Sequence, residues 1–279
     1  MFDLDAYLAR IELPALPTRD PAGLSRLQFA HRSTITFENL DVRLGRGVAI
    51  DSAAVFAKLV GARRGGYCFE HNRLLLDALA ALDVTARPLL ARVWLGATAV
   101  PPLTHTFALV TLDGTEWIAD PGFGGSYVPV LPLADGAEAI APDGARFLLR
   151  REEDGRTWLL LRNGDPAGTD GRVTPGGGED GWQKQYGFTT DAVHDSDLAM
   201  GNHWSMSAPA SRFTQVTAVS IVLPHGFAAL TDRRYRRTAA GNATEGEITD
   251  PRVYRMRLGL MFGIALSEAE VTALGLFEA

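Results

Sequence analysis

Only one of the 279 residues is a cysteine, and it lies in the stretch "RRGGYCFEHN" at residues 63–72, beside a tyrosine, a glutamate, a histidine and an arginine pair. A thiol becomes an effective nucleophile toward acyl groups when a base takes its proton and a carboxylate orients the base. Six histidines are candidates for that base: His31, His71, His105, His194, His203 and His225. The run "HTFALVTLDGTEWIADPGF" singles out His105, because Asp113-Gly114 is a two-residue hairpin signal between apolar strands. A two-residue turn sets Asp120 opposite Phe107 and diagonal to His105, on the same face and within hydrogen-bonding reach. A three-residue loop would reverse that parity. Cys68, His105 and Asp120 then form a nucleophile, a base and an orienting carboxylate.

The elements that must position these groups change twice along the chain. Residues 1–84 read as helical, with Leu74, Leu75, Leu79 and Leu82 recurring along one face of the segment that begins near Cys68. Gly65 and Gly66 break regular structure just before it and admit positive φ, which puts Cys68 at or near a helix N-terminus. Unpaired backbone N–H groups and the helix dipole stabilise a thiolate there, and the Cys68 N–H is the natural donor to an oxyanion. Residues 85–190 turn to short β-rich runs separated by Asp-Gly, Asn-Gly and Pro-Gly turns, an antiparallel sheet or barrel. "TPGGGEDG", from Thr174, reads as a loop. Residues 191–279 are mixed: a helix-compatible stretch over 191–201, strands over 214–223 and 228–238, and a closing helix that Ser267 and Glu270 begin as a capping box.

Composition narrows the function. The chain is 46% hydrophobic and 22% charged with a mean hydropathy of +0.01, the profile of an ordinary globular protein with a sizeable core. A net charge of -6 argues against a nucleic-acid binder, which needs a basic face. No apolar run approaches the roughly eighteen residues of a membrane span, and the acidic N-terminal stretch is unlike a signal peptide, so a cytoplasmic location is expected. A single cysteine excludes an internal disulfide and a four-thiolate zinc site.

The quoted motifs resemble those of the arylamine N-acetyltransferases: "FENL" at 37–40, "RRGGYCFEHN", "THTF" at 104–107 and "DPGFGG" at 120–125. "YLARIEL" from Tyr7 and "NHWSMSAPASRF" at 202–213 are similar to the family's N-terminal and third-domain signatures. The resemblance implies an α+β fold: a helical domain (1–84), an antiparallel β-barrel domain (85–190) and an α/β lid (191–279), with Cys68, His105 and Asp120 in a cysteine-proteinase-like triad. It also implies acetyl-CoA as co-substrate, no permanently bound cofactor, and arylamines, arylhydrazines or N-hydroxyarylamines as acceptors. One position departs from the family, whose Ser-Thr-His-Pro is here Met206-Ser207-Ala208-Pro209; Ser207 keeps a hydroxyl while Ala208 removes an imidazole.

Around the triad, Arg64 and Glu38 are candidates to pair and brace the cysteine loop, and Asn72 to hold its helix against the barrel. Phe37 and Phe123 are candidate walls for a flat amine. Gly124 and Gly125, with Ser207, are candidate CoA contacts, and the basic run "RRYRR" at 233–237 is a possible phosphate partner or a solvated strand face. Rival readings are a zinc site from Cys68, His71 and His105, a Cys-His-Asp hydrolase, a macrolactam-forming amide synthase of the same family, and a catalytically silent binding protein.

Overall fold

The computed structural model describes residues 2–173 and 179–277, so residues 174–178 of the expected "TPGGGEDG" loop lie outside the described residues. Helices α1 (Leu4–Arg10), α2 (Pro21–Thr34), α3 (Leu40–Arg43), α4 (Ser52–Phe56) and α5 (Cys68–Ala81) come first, with a short strand β1 (Phe37–Glu38) among them. Strands β2 (Thr85–Val93), β3 (Leu103–Leu112), β4 (Thr115–Ala119), β5 (Leu131–Pro132), β6 (Ala137–Ile140), β7 (Arg146–Arg151), β8 (Trp158–Asn163) and β9 (Gln183–Phe188) form one antiparallel sheet in the order β5-β4-β3-β2-β9-β8-β7-β6. Its two end strands approach each other, which makes it a nearly closed barrel.

The last third holds α6 (Asp195–Ser207), α7 (Arg212–Gln215), β10 (Ala218–Leu223), β11 (Gly226–Thr231), β12 (Arg234–Ala239), β13 (Asn242–Glu247), α8 (Pro251–Phe262) and α9 (Glu268–Ala273). The second sheet runs β1-β10-β11-β12-β13, so Phe37 and Glu38 join a sheet whose other strands come from the C-terminal third. Three expectations are corrected here. The strand read over 228–238 is two strands, β11 and β12, separated by a turn at Asp232 and Arg233, with Asp232 at φ 48. The stretch read as strand from 214 begins as helix α7. Helix α8 was not anticipated, although Asp250 caps it, Pro251 opens it and Gly263 ends it at φ 65.

Strand β3 positions half of the site by alternation. Phe107 and Leu109 point into the barrel core with Leu89, Ile118, Phe147 and Tyr186. Ala108, Val110 and Leu112 face the helices, against Leu74, Leu75 and Leu79 of α5. His105 shares the parity of Phe107, while Thr106, one residue on, accepts a hydrogen bond from Asn72 of α5 at 2.9 Å. A single register therefore sends His105 inward and fastens α5 to the outside of the same strand.

A buried chain of hydrogen bonds ties the helical region together. The Tyr7 hydroxyl lies 2.9 Å from His31 Nδ1, His31 Nε2 is 2.8 Å from His71 Nδ1, and His71 Nε2 is 3.2 Å from the Thr36 carbonyl. Because a carbonyl only accepts, each neutral ring has one possible assignment: His71 donates to Thr36, His31 donates to His71, and Tyr7 donates to His31. Burial, then the charges of Arg32 and Arg10, push His31 down to about 3, and burial pushes His71 well below the usual histidine range.

Both rings are thus neutral when folded and take up protons when unfolded in mild acid, so their contribution falls as the pH drops below about 6.5. Replacing His31 by leucine orphans the Tyr7 hydroxyl and His71 Nδ1, with an expected cost of about 3 kcal/mol in urea unfolding at pH 7. The stability of His31→Leu should also fall less than that of wild type between pH 7 and pH 4; parallel curves would contradict this account.

Candidate active site

Cys68 is the first residue of α5, and Tyr67 precedes it in an extended conformation. Glu70 Oε2 accepts from the Tyr67 N–H at 3.0 Å, which holds the first turn, while the Glu70 and His71 N–H groups bond back to the Tyr67 carbonyl. The N–H groups of Cys68 and Phe69 remain at the open end of the helix, where a developing oxyanion would find them.

The two preceding glycines serve a different purpose from the one expected. Neither has positive φ; Arg63 does, at 53°. They are required by close approach, since a Cβ at Gly65 would lie 2.2 Å from the Thr36 carbonyl oxygen and one at Gly66 would lie 2.5 Å from Glu70 Oε2.

Beneath this loop is a cluster of ionic groups. Arg64 Nη2 bonds Glu38 Oε1 at 2.7 Å and lies 3.3 Å from Asp41, while Lys58 Nζ bonds both Asp41 Oδ2 and Glu70 Oε1 at 2.7 Å. Burial raises Glu70 to about 7 despite Lys58. The Arg64–Glu38 pair was anticipated; Asp41, Lys58 and Glu70 were not. The sequence signal for Glu70 is its place three residues after the N-cap, the spacing of a capping box.

The hairpin from β3 to β4 has the two-residue register, with Leu112 opposite Thr115 and Ala108 opposite Ala119. His105 Nε2 is 2.7 Å from Asp120 Oδ2, and the other carboxylate oxygen accepts from the Gly122 N–H at 3.0 Å. Bonding through Nε2 leaves Nδ1 as the nitrogen for Cys68, whose thiol also acts on the ring.

Where Ala91 pairs His105 and Arg92 pairs Leu103, the register slips and leaves Thr104 unpaired. The Thr104 carbonyl sits 3.6 Å from the Cys68 sulfur, within reach of its S–H when the thiol is protonated. Gly122 packs on the cysteine itself, since a Cβ there would lie 2.8 Å from Cys68 Cα.

The site is dry. Cys68, His105 and Asp120 retain 2%, 3% and 2% of their surface, and the His105 ring lies 5.3 Å from Phe123, 5.0 Å from Tyr186 and 6.1 Å from Phe107. Burial opposes charge on the imidazole, but the Asp120 charge and the hydrogen bonds that the ring donates to Asp120 and Cys68 outweigh it and raise His105 to about 10.

Asp120 is held from behind by residues that the motifs did not reveal. Its N–H donates to Gln28 Oε1 at 2.6 Å, and Gln28 Nε2 donates to the Val128 carbonyl at 2.7 Å. Arg32, 1% exposed, donates to the Ser220 carbonyl and hydroxyl, and the Ser220 hydroxyl donates to the Gly124 carbonyl. The sequence signal was present: Gln28, His31 and Arg32 interrupt the buried stripe of α2 that Leu24 and Leu27 begin.

A cavity of about 250 Å³ opens beside Cys68 and His105, walled by Phe37, Phe123, Trp204 and Phe213 among others. The two expected aromatic walls are there. The expected CoA contacts do not border it. Gly124 is pressed against Phe37, with its would-be Cβ 2.5 Å from the ring; Gly125 is buried, and its carbonyl accepts from the Asp170 N–H. Ser207 is exposed and its hydroxyl bonds the His203 carbonyl one helical turn back. The "NHWSMSAPASRF" stretch contributes Trp204, Ser205, Ala210, Ser211, Arg212 and Phe213 in its place. In the basic run, Arg233, Arg234 and Arg236 pair across to Glu247 and Glu245 of β13, the solvated strand face.

The zinc set Cys68, His71 and His105 is not assembled, because both His71 nitrogens are engaged by His31 and Thr36. Among the described residues, no group of three His, Cys, Asp or Glu side chains could hold a metal ion, and no helix is long and apolar enough to cross a membrane.

The N-acetyltransferase family model matches residues 22–271. The arylamine N-acetyltransferase / N-hydroxyarylamine O-acetyltransferase of Salmonella typhimurium is 36% identical over 96% of this chain and 90% of its own length. The chain belongs to the arylamine N-acetyltransferase family. It is an acyltransferase, and its fold is that of the solved family members. The Mycobacterium marinum arylamine N-acetyltransferase in complex with CoA superposes with a TM-score of 0.84 at 29% identity, covering 98% of each chain. The proansamycin X synthase of Amycolatopsis mediterranei is also a relative, 30% identical over 91% of this chain and 95% of its own.

In this acetyltransferase the pairing of His105 with Asp120 has a testable signature. A group raised from about 6.5 unfolded to about 10 folded contributes stability that is fully present below about 6.5 and is lost as the pH rises through about 10. Asp120→Asn should therefore cost about 3 kcal/mol near pH 6, as removal of one partner of a buried pair does, and much less at pH 10. In NMR titrations the His105 imidazolium should persist above pH 9 in wild type and be lost well below that in the variant. A His105 that titrates near 6.5 in both would contradict the assignment.

Proposed function

We propose that this acetyltransferase moves an acetyl group from acetyl-CoA to aromatic amines, hydrazines or N-hydroxylamines in two half-reactions through an acetyl-Cys68 thioester, within the reducing cytoplasm that a free thiol suits. Cys68 is the nucleophile, His105 the proton carrier and Asp120 the group that orients and charges the imidazole. In the first half-reaction the Cys68 thiolate attacks the acetyl carbonyl. The oxyanion is met by the N–H of Cys68, the carbonyl re-forms, the bond to the CoA sulfur breaks, and the leaving thiolate takes the proton held on His105 Nδ1.

In the second half-reaction the amine attacks the acetyl-cysteine, its proton passes to His105, and the Cys68 thiolate leaves. Exchange of one thioester for another is nearly isoenergetic, so the first step is reversible. Amide formation draws the second forward.

The observation that carries this reading is the placement of Cys68 at an open helix terminus, beside a histidine bonded to a buried carboxylate, at the edge of an aromatic cavity. A bound acceptor can replace water there, which a transferase needs and a hydrolase does not. The CoA complex of the Mycobacterium marinum relative supports the donor. The proansamycin X synthase relative favours a second reading, an amide synthase loaded from a different thioester.

Intact-mass spectrometry separates the readings. Wild-type protein mixed with acetyl-CoA alone should gain one acetyl group on Cys68, aniline or a hydrazine should remove it as the acetylated product, and Cys68→Ser should gain none. An adduct that amines never discharge would point to a hydrolase. No adduct from acetyl-CoA, together with loading from a longer acyl thioester, would point to the amide synthase.

A further inference from the structure

Two guanidinium groups, Arg172 and Arg212, border the cavity, and one carboxylate set behind its lining serves both. Arg172 Nε bonds Asp170 Oδ2 at 2.7 Å, and Arg212 Nη2 lies 3.5 Å from the same oxygen. The Asp170 side chain is 7% exposed while those of Arg172 and Arg212 are 24% and 26% exposed, so the carboxylate is enclosed in the wall and the guanidiniums reach the opening. Asp232 also acts on Arg212, but its Oδ1 accepts from the Thr217 N–H. Among the described residues, no Asp or Glu borders the cavity, and Nη1 and Nη2 of Arg172 hold no hydrogen bond.

Gly125 makes room for this arrangement, since a Cβ there would lie 3.1 Å from Arg172 Nη2. Burial, then repulsion by Arg172, lower Arg212 to about 10, which leaves it cationic at neutral pH. Two guanidiniums thus face the cavity while the carboxylates that act on them, Asp170 and Asp232, lie behind its lining.

The same cavity is bordered by Cys68, His105 and the rings of Phe37, Phe123 and Phe213. A planar amine lying between those rings with its nitrogen toward the acetyl-cysteine has the guanidinium pair within the same enclosure. A carboxylate on that ring would receive charge-assisted hydrogen bonds. We infer that Arg172 and Arg212 form an anion subsite for the acceptor, and that the preferred acceptors are arylamines carrying a ring carboxylate. This rests on the acetyl-transfer reading of Cys68. The phosphates of CoA are the other source of anionic oxygens, and the test distinguishes the two.

Cys68 is loaded from 4-nitrophenyl acetate, with no CoA present, and discharged by 4-aminobenzoate or by its methyl ester, which differ chiefly in charge. The wild-type kcat/KM should favour the carboxylate over the ester about tenfold, and Arg172→Gln or Arg212→Gln should abolish most of that ratio. Arg212→Lys, which keeps the charge, should retain part of it. The ratio cancels any general loss that a variant brings to both acceptors. Equal discharge by the two acceptors in wild type overturns the subsite while leaving acetyl transfer intact. An unchanged ratio in the variants, with a raised KM for acetyl-CoA, assigns the arginines to the donor phosphates and also overturns it. Failure of both amines to discharge a loaded Cys68 defeats the acetyl-transfer reading and the subsite with it.

Discussion

The 2.7 Å contact between His105 and Asp120 is the interaction on which the rest of the site depends. An imidazolium and a carboxylate buried this deeply would each be expensive alone, and the pair is tolerable only because each remaining polar atom is met. Asp120 Oδ1 takes the Gly122 N–H, its own N–H goes to Gln28, and the far side of His105 is left for the thiol. The surrounding rings of Phe107, Phe123 and Tyr186 exclude water and so strengthen the attraction. Removing the carboxylate therefore changes the charge of His105 as well as its orientation.

Bringing Cys68 to this pair requires backbones to pass closer than side chains allow. Gly65 lies against the Thr36 carbonyl, Gly66 against the Glu70 carboxylate, Gly122 against Cys68 and Gly124 against the Phe37 ring. Overpacking at such contacts costs on the order of 1–3 kcal/mol and moves whichever partner yields, which here is the cysteine loop or the loop that carries Asp120. Charged groups pull the same segments together: Arg64 and Lys58 join Glu38, Asp41 and Glu70 beneath the cysteine. The C-terminal third contributes as well, because the Tyr67 hydroxyl bonds Asn202 of α6. The site is assembled from all three regions of the chain.

Local signals in the sequence carried the juxtaposition of Cys68, His105 and Asp120. One cysteine before an apolar-periodic segment, and one Asp-Gly turn whose length sets parity, sufficed to bring Cys68, His105 and Asp120 together. Signals that depend on tertiary pairing were less legible. Strand β13, "NATEGE", is exposed throughout and shows no alternation, so nothing local marks it as a strand; it is held by pairing with β12. Ser207, a candidate CoA contact, points to solvent on a helix whose residues Trp204 and Ser205 border the cavity. Gln28 and Arg32 were readable as polar interruptions of an apolar stripe, but their partners, Asp120 and Ser220, are about 90 and 190 residues away in sequence, beyond any periodicity.

The central claim is that the imidazolium of His105, held by Asp120, sets the reactivity of the Cys68 thiol. The rate of Cys68 alkylation by iodoacetamide as a function of pH measures this directly, since only the thiolate reacts. Wild type should react at about pH 6 much faster than free cysteine, and Asp120→Asn should lose most of that advantage. A wild-type profile that rises near about pH 8.5 like that of free cysteine, unchanged by Asp120→Asn, would contradict it.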